Sequence, residues 1–177
     1  GVLSNCVVRD SALFSPLYSY GGGGGIYCDG TASQGATVTA CRVFGNILTN
    51  LVFQAGNVRG AGFGLYLAGN TFVSDCVISN NRIAGSAGTE NRGAGVYASG
   101  SGCQVRSCLI CSNLTGSAYG GGIHMSSSAS LHDSTVTVNS AGSAGGCFIS
   151  AGGTISNCVI SSNRTTGGQT TWAGGIQ

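Results

Sequence analysis

The sequence contains no lysine, one proline, and only seven basic residues and five acids among its 177 positions. Sparse charge with a net of +2 forms no basic patch, which argues against nucleic acid or an acidic membrane surface as partner. A single proline without a Gly-X-Y period excludes collagen, and the lack of Lys, Glu and Arg runs excludes a coiled coil. A 42% hydrophobic content excludes a chain disordered by charge. No apolar run approaches the roughly 18 residues that span a bilayer. There is neither an initiator Met nor a signal peptide, so the expectation is a processed chain or a piece of a longer one.

What the chain does have is glycine, at 33 residues, and nine cysteines. Such a composition predicts a compact, turn-rich single domain over 1–177, its core built from small residues, Val and Ile. The cysteines fall into a repeat. An aliphatic-x-x-Cys-x-aliphatic-x-x-Asn motif occurs at Val38/Cys41/Val43/Asn46, Val73/Cys76/Ile78/Asn81, Val105/Cys108/Ile110/Asn113 and Ile155/Cys158/Ile160/Asn163. A further copy places Ser134 in the Cys slot before Asn139, and another reads Leu3, Cys6 and Val8 but reaches Ser11 where Asn is expected.

A second motif, glycine followed by an aliphatic and usually a ring, alternates strictly with the first: Gly25-Ile26-Tyr27, Gly64-Leu65-Tyr66, Gly95-Val96-Tyr97, Gly122-Ile123-His124, Gly146-Cys147-Phe148 and Gly175-Ile176-Gln177. The Cys slot precedes its Asn by five residues every time, whereas Asn precedes the next motif glycine by 18, 14, 9, 7 and 12 residues. One unit per turn of a solenoid, with its insertions confined to one corner, satisfies both facts. Segments rich in Val, Ile, Thr, Tyr and Phe, bounded by Gly, Ser, Asn or Asp, read as short strands. Recurrence of one unit in one order favours a parallel solenoid over a hairpin-built sandwich or barrel. The prediction is an all-β, parallel β-helix of about six coils.

With these motifs the chain resembles the right-handed parallel β-helix repeats of the pectin-lyase-like class, and most closely the polymorphic outer membrane protein repeats of bacterial surface autotransporters. Those repeats alternate a glycine-glycine-alanine-aliphatic motif with phenylalanine-x-x-asparagine. Gly-Gly-Gly-Ile at 23–26 and 120–123 is similar to the first, and Val43, Ile78, Ile110, Val136 and Ile160 take the Phe position of the second. The resemblance implies a fold and a location outside the cell or at its surface. It does not imply one activity, because enzymes, adhesins and scaffolds share this fold.

Strand alternation assigns each motif column a face. Cys6, Cys41, Cys76, Cys108 and Cys158 are expected to point inward as a buried ladder of free thiols, with bridges left open only for the irregular Cys28, Cys103, Cys111 and Cys147. Cys108 and Cys111 match C-x-x-C, but residues three apart on a strand face opposite sides, so no metal is expected there. Asn46, Asn81, Asn113, Asn139 and Asn163 are expected to form a turn ladder, each taking the left-handed backbone of a tight turn and bonding to the amide one coil on. This leaves little weight for the glycosylation sequons at Asn113 and Asn163. Tyr27, Tyr66, Tyr97, His124 and Phe148 are expected to form an outward column, either stacking on itself or offering a platform to sugar rings or a partner protein.

Enzymes of this class gather two or more Asp, and this chain has only Asp10, Asp29, Asp75, Asp133 and Glu90. Asp75 and Asp133 hold equivalent turn positions two coils apart. The expectation is therefore a non-enzymatic structural protein without cofactor or metal: a rod of an adhesin, passenger domain or filament, with a carbohydrate-binding or carbohydrate-cleaving protein as the alternative. Ice binding fits only Thr135 and Thr137. Neither end carries an amphipathic helix or charged strand, so the rod is expected to continue, through a longer chain or by axial stacking of copies.

Overall fold

The computed structural model describes residues 1–14, 20–31, 33–49, 59–84, 92–116, 119–167 and 173–177. Among them every paired strand is parallel, and the chain winds through six coils. The predicted architecture is the observed one: an all-β parallel β-helix. A coil passes through five faces in turn. The first carries Val2–Ser4, Ala36–Thr39, Thr71–Ser74, Gln104–Arg106, Ser130–His132 and Thr154–Ser156, hydrogen-bonded in that order. The second carries Val7–Arg9, Arg42–Phe44, Val77–Ser79, Leu109–Cys111, Thr135–Thr137 and Val159–Ser161. The third stacks Ala12–Phe14, Ile47–Thr49, Arg82–Ala84, Leu114–Thr115, Ser140–Ala141 and Arg164–Thr165. A fourth, narrow face pairs Tyr20–Gly22 with Arg59–Ala61 and continues as single bridges through Arg92, Tyr119 and Ser143. The fifth stacks Ile26–Gly30, Leu65–Gly69, Val96–Ala98, Ile123–Met125 and Cys147–Ile149.

The strands are short because the turns are frequent, and two of the turns use one residue each. The residue before the Cys slot is left-handed in all six coils, at Asn5, Ala40, Asp75, Ser107, Asp133 and Asn157. So is the residue before the ladder Asn, at Gly45, Asn80, Ser112, Val138 and Ser162. Two such corners with a three-residue strand between them fix the spacing of five from Cys to Asn. The expectation that the ladder Asn themselves are left-handed is corrected. A single left-handed residue bends the chain at the corner with its own side chain outward, so the next residue opens the new strand with its side chain inward, and that is where Asn is needed.

Two apolar cores result. The main one packs Val38, Val73, Val105 and Leu131 of the first face against Val43, Ile78, Ile110 and Val136 of the second and Leu65, Leu67, Val96, Ile123 and Met125 of the fifth. Each is fully buried, and an aliphatic side chain of this kind contributes about 1.5–3 kcal/mol relative to exposure. A smaller core of Leu48, Phe63, Ile83 and Ala94 lies beside the third face. It tapers: the residue two after the ladder Asn shrinks from Leu48 and Ile83 to Thr115 and Ala141, and the residue between the motif glycines shrinks from Phe63 and Ala94 to Gly121 and Gly145. The corner shortens in step, from 18 residues to seven.

Candidate functional site

Three columns of reactive or polar side chains run along the helix axis. The innermost is the asparagine ladder. Asn46 Nδ2 donates to Asn81 Oδ1 at 2.9 Å, and the pairs Asn81/Asn113, Asn113/Asn139 and Asn139/Asn163 repeat this at 3.0 Å. Each of these acceptor oxygens also takes the backbone N–H of the preceding ladder residue, as Asn113 N does to Asn139 Oδ1 at 2.9 Å. The second amide hydrogen goes back one coil, from Asn113 Nδ2 to Ile78 O at 3.0 Å. In a buried site such a network is stabilising because no donor or acceptor is left over. The sequons at Asn113 and Asn163 therefore present amides already engaged between coils.

The thiol column lies at the neighbouring corner. Cys41, Cys76 and Cys108 are buried, while Cys6 and Cys158 are half-buried. Each thiol donates to the carbonyl two residues back, Cys41 to Thr39 at 3.1 Å and Cys76 to Ser74 at 3.0 Å. The sulfurs of Cys41 and Cys76 in turn receive the N–H of the preceding coil's Cys, at 3.4 Å from Cys6 N to Cys41 and from Cys41 N to Cys76. Ser134 reproduces both bonds through its hydroxyl, donating to His132 O at 2.6 Å and accepting from Cys108 N at 3.1 Å. Burial pushes the Cys41 thiol up. Cys108 donates in the same way to Arg106 O at 3.1 Å. All nine cysteines are free. Cys108 is buried and Cys111, three residues on, lies half-exposed on the opposite side of the strand.

The ring column is in register along the fifth face, Tyr27 opposite Tyr66, Tyr97, His124 and Phe148 in succession. Ring centroids are 4.8 Å apart for Tyr27/Tyr66, 5.2 Å for Tyr66/Tyr97 and Tyr97/His124, and 4.8 Å for His124/Phe148. Of the two expected forms, the rings stack on one another, but the column is not outward along its length: Tyr27 is 56% exposed, whereas Tyr97 and His124 are only 7% and 2% exposed. The fourth face folds over them. Arg92 donates to Tyr97 Oη at 3.2 Å, and the Tyr119 ring packs 4.7 Å from Phe148 and 6.5 Å from His124. Sequence reasoning missed Arg92 and Tyr119 as covering residues because they come from the corner of variable length and share no motif.

His124 is accordingly neutral, its pKa lowered to about 3 by burial and by the nearby Arg92 charge. Nε2 lies 3.1 Å from Ser150 Oγ, which itself donates to Met125 O, so Nε2 carries the proton and Nδ1 is a buried acceptor without a partner.

Among the described residues the acids stay dispersed, and Glu90 lies outside those residues. Asp133 accepts from Arg106 Nε at 2.9 Å and from Asn157 Nδ2 at 2.6 Å, and these two bonds hold its carboxyl below the usual range, with Asn157 the larger cause. Asp10 lies 3.6 Å from Arg9 in an exposed pair. Among the described residues no three of His, Cys, Asp and Glu gather around a common point, and no helix is long and apolar enough to cross a membrane.

Comparison with curated proteins and with solved structures finds no match. A family model described as a right handed beta helix region matches residues 1–177, and with six parallel coils already traced through the chain, this protein belongs to the right-handed beta helix family.

Proposed function

We propose that this chain is an extracellular structural protein without catalytic chemistry, a β-helical segment of a surface adhesin, passenger domain or filament whose work is to be a stiff rod. The observation that carries the reading is the asparagine ladder, which spends its polar groups between coils at 2.9–3.0 Å rather than presenting them to a ligand. Thiols are used the same way, and the strongest acid contact is Asp133 with Arg106 and Asn157. Imaging and sedimentation test the rod: the expected particles are elongated and associate axially as concentration rises. Incubation with polygalacturonate and neutral glycans, with and without calcium, is expected to yield neither unsaturated products nor new reducing ends. Robust turnover lost on changing one of the five acids would overturn the structural reading.

A second reading, glycan binding, is favoured by one observation. The Tyr27 ring is exposed and stacked on Tyr66 at an interplanar angle of 19°, so one aromatic face stands open. Loss of retention on immobilised glycans in Tyr27→Ala tests it.

A further inference from the structure

Four consecutive coils place a thiol at the same corner: Cys6, Cys41, Cys76 and Cys108. The repeated N–H to sulfur contact of 3.4 Å keeps each sulfur at one offset from its coil, so successive sulfurs are separated by the coil rise, roughly 4.8 Å. Two collinear metal–sulfur bonds, each near the roughly 2.3 Å of a zinc–thiolate bond, span nearly that distance. Soft thiolates select soft ions such as Cu(I), and two-coordinate linear geometry asks for no third ligand. Zinc would need four ligands, which the dispersion of His, Cys, Asp and Glu among the described residues does not supply.

We propose that this thiol column is a binding site for a soft monovalent ion, Cu(I) or Ag(I), held linearly between sulfurs of neighbouring coils. Four thiols enclose three gaps, of which the two that share no sulfur, Cys6/Cys41 and Cys76/Cys108, fill together, because a sulfur in a straight row cannot carry two opposed metal bonds. Filling each gap releases one proton and forms two metal–sulfur bonds: four RSH and two M⁺ give two neutral M(SR)(HSR) units and two H⁺, with no change in oxidation state. Neutrality matters because the column is lined by Val43, Ile78 and Ile110, which are fully buried and offer no counter-charge. Ser134 ends the column, since a hydroxyl is a poor ligand for a soft ion, and isolates Cys158 beyond it.

The experiment is titration of the fully reduced protein with Ag(I) or Cu(I) against an excess of a competing monothiol, which strips ions from single cysteines. Uptake is read by elemental analysis and sulfur coordination by X-ray absorption. The wild type is expected to retain two ions, each with two sulfur neighbours. Cys76→Ser leaves only the Cys6/Cys41 gap and should retain one. Ser134→Cys joins six thiols in a row and should retain three. Circular dichroism checks folding, and Ser134→Cys keeps the test decisive if Cys76→Ser fails to fold. No retained ion in the wild type, or a stoichiometry that both substitutions leave unchanged, overturns the proposal.

Discussion

Gly95 and Asn113 touch across neighbouring coils: a Cβ on Gly95 would lie 2.8 Å from Asn113 Nδ2. The same approach recurs at 2.8 Å for Gly25/Asn46, Gly64/Asn81 and Gly146/Asn163, and at 2.9 Å for Gly122/Asn139. The two motifs that alternate in the sequence are thus one contact in space, where a backbone without a side chain packs on the amide ladder. Gly95→Ala should destabilise the fold by about 2–3 kcal/mol, because the methyl must displace a fully bonded amide or a backbone carbonyl. Gly35→Ala is the control, since its nearest neighbour, Asn70 O, is 3.4 Å away and its φ is ordinary. Thermal melts should separate the two by several degrees.

Val138 is a β-branched residue at φ 58°, in a slot where other coils hold Gly45, Asn80, Ser112 and Ser162. Its side chain is 56% exposed, so little packing offsets the strain. Val138→Gly should raise stability by about 1 kcal/mol, seen as an upward shift of a few degrees in Tm. An unchanged or lower Tm would contradict the strain argument.

His124 sets an acid limit. Its folded pKa, about 3, lies below the 6.5 of the unfolded chain, so its contribution is present in full above pH 6.5 and is lost as pH falls from there toward 3. The slope approaches about 1.4 kcal/mol per pH unit inside that window. His124→Phe continues the ring column and removes the orphaned Nδ1. Urea unfolding at pH 7 and pH 4.5 should show the variant losing distinctly less stability on acidification than the wild type.

Asn113→Asp places a carboxyl where one oxygen still accepts from Asn81 and the other faces Ile78 O and Asn139 Oδ1, both acceptors. Repulsion and burial raise the folded pKa of such an acid. The variant should therefore be most stable below the unfolded value of roughly 4 and lose stability as pH rises through the folded value. A stability profile flat above pH 4 would show that the ladder tolerates the charge.

The strands, the coil count, the inward Cys column and the coil-to-coil bonding of the Asn ladder were legible in the sequence because the corner from Cys to Asn has no freedom. One left-handed residue, a three-residue strand and a second left-handed residue admit a single length, as at Asp75 to Asn81. The Gly95/Asn113 contact was not legible, since the partners are 18 residues apart and meet through coil stacking rather than local pattern. Burial of Tyr97 and His124 was hidden for a different reason. Alternation tells which side of a strand a ring takes, but not that Arg92 and Tyr119, arriving from a corner without a motif, lie over that side.

The uneven coil has a consequence for how such a chain tolerates change in length. Ladder partners are 35 residues apart for Asn46/Asn81 and 24 for Asn139/Asn163, and closing the longer loop costs only about 0.3 kcal/mol more. A single insertion between Cys76 and Asn81 would instead rotate Asn81 out of register and strand the amides of Asn46 and Asn113. Insertions and deletions are therefore nearly neutral at one corner and prohibitive at the other, which makes the stretch between ladder Asn and motif glycine the place where foreign segments can be grafted without disturbing the stack.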